Sequence, residues 1–133
     1  MLLYSIDPNF DHLKLKRTPE VEQAYEIHKK ELQEKGITLE EYISAHEFRS
    51  SKQTISITPN NYPLELEEGQ IEMLMWDKTP ETKNELIGPM DHRDAVKHIF
   101  KCFEFGSVIA IWINSNEDQS VKGIRHYHFI IQE

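Results

Sequence analysis

The last quarter of the chain constrains its fold most strongly. Val108-Ile109-Ala110-Ile111-Trp112-Ile113 and His126-Tyr127-His128-Phe129-Ile130-Ile131 are two β-rich runs separated by a polar loop that contains Gly123. Branched and aromatic residues at this density suit strands, and the connection suits an antiparallel pair. Strand side chains alternate faces, so His126 and His128 project to one side with Ile130, while Tyr127, Phe129 and Ile131 project to the other. The same alternation places Trp112 and Asn114 on one face with Val108 and Ala110.

Upstream, the pattern supplies partners for this pair. Thr18-Pro19-Glu20 combines a capping hydroxyl, a proline suited to the first helical position and an acid near the positive end of the dipole. Val21, Tyr25, His28 and Leu32 then form one stripe, and Gly36 is a left-handed terminator. Thr38-Leu39-Glu40-Glu41 has the capping-box pattern, with Ile37 placed to staple onto a second helix running to about His46. Asp91 is suited to cap a third helix, in which Ala95, Ile99 and Phe103 line one stripe and Val96 and Phe100 widen it, with Gly106 closing it. Gln53 to Thr58 alternates as a half-exposed strand, Ile71 to Trp76 reads as a buried one, and Asp77 to Met90 reads as a surface connection. The fold class expected is α+β: a small, mostly antiparallel sheet with strands near 53–58, 71–76, 108–114 and 125–132. Two N-terminal helices and one helix over 92–104 pack with it.

Composition sets the outer bounds. With 133 residues, 38% of them hydrophobic and including two Trp, five Tyr and six Phe, the chain suits one domain over 1–133 with its own core. A net charge of -8 argues against nucleic acid as a partner, because gripping a phosphate backbone needs a basic face. Lys14, Lys16 and Arg17 are too few, and lack the aromatic platform, to supply one. The single Cys102 forms no intramolecular disulfide and no Cys-rich zinc site, reads as packing, and fits an intracellular, cytoplasmic setting. The opening MLLYSIDPNF lacks a basic leader, and no stretch nears the ~18 apolar residues of a membrane span, so no membrane partner is expected.

Two imidazoles on one strand face carry the most chemistry. Neutral imidazole is a metal ligand and an acid or base near neutral pH. His126 and His128 are thus the candidate catalytic or metal-binding pair, with His92, Asp91 and Asn114 as groups that would complete a set. The plain alternative is a pair of surface histidines bonded to their neighbours. Trp112 and Asn114 would wall such a site and suit a polar, ring-bearing ligand, although a tryptophan in a strand is more commonly core. The 114–123 loop is rich in hydrogen-bonding side chains and makes a rim. No Walker loop, dinucleotide fingerprint, serine elbow or HExxH helix is present, and no cofactor is required.

Several blocks resemble a family of unknown function, found chiefly in fungi, that includes the N-acetylglucosamine-induced protein. They are Leu15-Lys16-Arg17-Thr18-Pro19-Glu20 with Tyr25, then Asn61-Tyr62-Pro63-Leu64, then Gln70 to Trp76, then Trp112-Ile113-Asn114, and finally Gln119 to His128 with its HxH ending. The sequence departs from the family pattern at Ser115, where a proline is usual, and around Glu72 and Met73, where a histidine is usual. The resemblance implies that the shared polar positions Arg17, Tyr62, Trp76, Trp112, Asn114, Ser120, His126 and His128 form a site. The expected function is binding of a sugar, amino-sugar nucleotide or phosphorylated metabolite at a site with Arg17, Tyr62, Trp76, Trp112, Asn114 and Ser120 as ligand contacts. The alternatives are a hydrolase or phosphoesterase using the paired histidines, and a protein-interaction or inhibitor module with an exposed patch at Met73, Met75 and Trp76.

Overall fold

The computed structural model describes residues 1–48, 53–77, 92–114 and 124–133. Asp91, the 114–123 loop beyond Asn114 and the surface connection after Asp77 fall outside them, as does Ser120. Within the described residues three helices accompany a five-stranded antiparallel sheet. The elements are β1 (Leu2–Ser5), α1 (Pro19–Glu34), α2 (Leu39–His46), β2 (Ile55–Pro59), β3 (Gln70–Asp77), α3 (His92–Cys102), β4 (Val108–Trp112) and β5 (Arg125–Gln132). Strand order is β1-β4-β5-β3-β2, so the two C-terminal strands pair as expected and sit centrally with β3.

Helix limits follow local chemistry. The Thr18 hydroxyl accepts from the Val21 amide and Pro19 opens α1. At the other end the Ile37 amide donates to Leu32 O at 2.9 Å and the Gly36 amide to Gln33 O at 3.1 Å, with Gly36 at φ +71°. That is the paired-bond cap in which a left-handed residue satisfies the last carbonyls, and glycine adopts it without a Cβ clash. Thr38 caps α2 by accepting from the Glu41 amide at 3.1 Å, while its hydroxyl donates to the Glu41 carboxylate. Pro59, expected to break regular structure, ends β2; that strand is an edge, where a missing N–H costs no ladder bond.

The sheet has two different faces. One is packed by α3: Ala95 and Ile99 are fully buried against Met73, Met75, Ile111, Tyr127 and Phe129. The other carries Glu72, Leu74 and Trp76 of β3, His126, His128 and Ile130 of β5, and Ala110 and Trp112 of β4. It is covered by Phe10, Leu15, Leu64 and Leu66 toward Ala110, Trp112 and Ile130, and by Phe48, Leu39 and Ile43 toward Leu74 and Trp76.

Several expectations need correction. β1 was not foreseen; four residues with a proline soon after are a weak strand signal, and its pairing with β4 comes from tertiary context. A register irregularity between Val108 and Ala110 rotates Val108 onto the α3 face, so it does not share a face with Trp112. Met73, Met75 and Trp76 are buried, so no exposed patch forms there. Cys102 is exposed at the end of α3 rather than packed, and Gly106 lies in a separate short turn.

Truncating Ile99 to alanine should lower unfolding free energy by about 3 kcal/mol, the scale of a cavity in a tight core. Ile27→Ala, on the exposed side of α1, should change it by less than about 0.5 kcal/mol. Urea denaturation of both variants is the check, and equal losses would contradict the layer assignment.

Candidate functional site

Between the polar sheet face and the layer of α1, α2 and the 60–64 segment lies a cavity of about 350 Å³. Its sheet wall follows from register. Trp112 stands opposite His128, His128 opposite Leu74, and His126 opposite Trp76. Side chains directly across an antiparallel pair are close enough to touch, so the rings come into contact. Trp112 and His128 stack with centroids 5.4 Å apart and planes 8° apart; Trp76 and His126 lie at 4.6 Å, and His126 and His128 at 5.1 Å. His12 stacks on Trp112 as well.

The covering wall is also aromatic. Tyr25 and His28 of α1 meet Tyr62, with centroid separations of 5.0 Å for Tyr25–Tyr62 and 5.5 Å for His28–Tyr62, and Tyr42 of α2 packs on His28 at 4.6 Å. Arg17 fixes this wall: its Nε donates to Tyr62 O at 2.8 Å, its guanidinium lies 4.5 Å from the Tyr25 ring, and Nη1 pairs with Glu22.

A buried carboxylate organises the polar centre. Glu72 is 2% exposed. His128 Nδ1–H donates to its Oε2 at 2.7 Å, the Leu64 amide donates to Oε1 at 2.9 Å, and the Asn60 side chain adds a further bond. Burial alone would raise the carboxyl, but the His128 hydrogen bond and charge, with Leu64 and Asn60, hold it below the usual carboxylate value. The Asn114 amide donates to His128 Nε2 at 3.2 Å, so both nitrogens of that ring are engaged. His126 differs. Its Nδ1–H donates to Ile124 O at 3.3 Å, and among the described residues its Nε2 has no partner. Burial, reinforced by neighbouring His128, pushes His126 down to about 4, so it is neutral at physiological pH. Two more polar atoms of the lining, Trp76 Nε1 and Thr58 Oγ1, are buried without a hydrogen-bond partner among the described residues.

Seven of the ten residues singled out from sequence line this one cavity: Arg17, Tyr62, Trp76, Trp112, Asn114, His126 and His128. His126 and His128 are buried rather than set on an open surface. His92 does not join them; it lies across the sheet, where its Nδ1 is 2.9 Å from the Tyr127 hydroxyl on the α3 side. Ser120 lies outside the described residues. Glu72 was missed as a site residue because it sits inside an apolar run. The signal was present in the alternation Glu72, Leu74, Trp76, which puts a charge on the same face as a candidate tryptophan. Among the described residues, no group of three or more His, Cys, Asp or Glu side chains is placed to hold a metal ion, and no helix is long and apolar enough to cross a membrane.

A family model described as "Protein of unknown function (DUF3605)" matches residues 9–132, which include every described residue of the cavity wall. The chain belongs to this family. A solved structure described as "Crystal Structure of HTC1" is similar, with a TM-score of 0.63 and 20% identity over 91% of this chain and 77% of that one. At that identity the family member shares a fold with it, and the likeness extends to nothing else. No curated protein matches the chain significantly.

Acid should unfold the protein in a defined window. The folded state holds His126 neutral from its ordinary 6.5 down to about 4. The unfolded chain therefore binds the extra proton first, and stability falls as pH drops through that interval, by roughly 3 kcal/mol at most. His12, also lowered by burial, acts in the same direction. Glu72, depressed below 4.5, adds its loss at lower pH. Melting temperatures measured from pH 7.5 to 3.5 should show this decline, and His126→Gln should flatten its upper part. A flat wild-type profile across the window would contradict the burial assigned to His126.

Proposed function

We propose that this protein binds a polar, ring-bearing small molecule, of the sugar or sugar-phosphate kind, in the cavity between the sheet and α1–α2. The observation that carries the proposal is the character of the lining: two opposed aromatic walls with polar side chains between them, where His126 Nε2 has no partner among the described residues. Buried polar groups are nearly always paired, so unpartnered ones beside a void are most economically completed by a ligand or ordered water. The volume lies at the lower end of the ~300–1,000 Å³ range of ligand pockets, which suits one ring with its substituents. Aromatic faces stack on the apolar faces of sugar rings, while imidazole, indole and amide groups bond their edges. The resemblance to the N-acetylglucosamine-induced protein makes amino sugars the first probes. A cytoplasmic setting agrees with an exposed, unpaired Cys102.

Histidine-dependent hydrolysis is the second reading, favoured by one feature. A carboxylate that holds an imidazole by Nδ1, as Glu72 holds His128, is the orienting arrangement used in general-base catalysis. In this arrangement Asn114 would have to release Nε2 before the ring took a proton from substrate.

Both tryptophans of the chain line the cavity, so intrinsic fluorescence reports on it directly. Titration with N-acetylglucosamine, its 6-phosphate and its uridine diphosphate conjugate should give a saturable change in emission with at least one of them. Trp112→Phe should weaken that binding about tenfold, through loss of the indole platform. Unchanged emission and melting temperature with all three would remove the sugar reading. Product release from any of them that is lost in Glu72→Gln would favour the hydrolase instead.

A further inference from the structure

The cavity is not uniform. Its two cationic side chains, Lys16 and Arg17, belong to the covering layer, where Arg17 is held by Tyr62 and Tyr25. The sheet wall is uncompensated in a different sense. His126 has its Nδ1–H committed to Ile124 O, which fixes the tautomer and leaves a lone pair on Nε2. Such a nitrogen accepts a hydrogen bond and cannot give one. Its neighbour His128 has no spare nitrogen, since Glu72 and Asn114 take both. Trp76, opposite His126 in register and 4.6 Å from it between centroids, carries an indole N–H without a partner.

We infer that the sheet wall of the cavity is a hydroxyl-selective subsite, in which an uncharged hydroxyl of the ligand donates to His126 Nε2. This rests on the small-molecule reading above and deepens it by naming the group that is read. A hydroxyl is the simplest uncharged group that donates to the imidazole while keeping lone pairs of its own. An ether oxygen only accepts, so it leaves the His126 lone pair unmet in a buried place. A carboxylate or phosphate likewise presents only lone pairs, and it would do so beside the Glu72 carboxylate. Any charged end of the ligand therefore points toward Lys16 and Arg17, with the hydroxylated face against the strands.

Three probes that share one ring separate these cases: phenol, anisole and benzoate. Long-range proton–nitrogen NMR of the uniformly labelled protein reads the His126 tautomer without any ligand, and the same signals report binding. The expected result is an unprotonated Nε2 in the free protein, a saturable shift of it by phenol, and binding of anisole and benzoate weaker by about tenfold or more. His126→Phe should abolish the preference for phenol over anisole. If that variant does not fold, the wild-type tautomer and the ranking of the three probes decide the matter. A proton on Nε2, or anisole or benzoate binding within about twofold of phenol, overturns the subsite while leaving the cavity as a binding site. Binding of none of the three overturns the subsite, while the amino-sugar titration decides the small-molecule reading separately.

Discussion

The hydrogen bond from His128 to Glu72 is the contact on which the polar half of this molecule depends. It joins β3 to β5 on the diagonal, one step from the direct pair of Leu74 with His128. A buried carboxylate is expensive to desolvate and is tolerated only when its oxygens are met by donors. Glu72 meets that requirement by recruiting the Leu64 amide and Asn60 as well as His128, and so draws the 60–64 segment down over the sheet. Tyr62 lies within that segment, and Arg17 holds Tyr62 by its carbonyl. One hydrogen bond in the sheet thereby sets where the opposite wall of the cavity stands.

The same contact determines what each histidine can do. With Nδ1 given to Glu72 and Nε2 received from Asn114, His128 is a structural ring that also supports the Trp112 stack. His126, two residues earlier and on the same face, has no such carboxylate. Its ring is held by a backbone carbonyl and by contact with Trp76 and His128, and among the described residues its second nitrogen is left over. Two residues that look equivalent in an HxH pattern are therefore opposites: one is saturated and one is open.

How much of this was legible in the sequence depended on the range of the forces involved. Caps and terminators act within a turn, so Thr18, Gly36 and Thr38 marked both N-terminal helices correctly. Period-two alternation is also local, and it placed His126, His128, Trp112 and Asn114 on one face. It failed at Val108, because a bulge is an insertion in register that leaves no mark on composition. His92 was grouped with the other histidines on residue type alone; helix α3 carries it to the opposite face, where Tyr127 takes its nitrogen. Tyr25 and His28 were recognised as one helical stripe, yet their place in the far wall requires knowing that α1 meets Tyr62 over the sheet, which no local pattern encodes. Glu72 was hidden by the apolar residues on either side of it.

The contrast between the two faces of the sheet bears on whether the cavity is only a packing fault. The same three central strands build both. Against α3 they present Met73, Met75, Ile111, Tyr127 and Phe129, an apolar surface packed by Ala95 and Ile99. On the other side they present Glu72, His126 and His128, and the edge strand β2 adds Ser56, whose hydroxyl donates to the Glu47 carbonyl. If packing were the only requirement, apolar side chains of similar volume at these positions would be as stable or more so, because each buried polar group must recover its lost hydration. A chain able to fill one face with methionine and isoleucine meets no obstacle of strand geometry to filling the other. The polar face, with His126 Nε2 left unmet among the described residues beside the cavity, holds more polarity than packing alone calls for.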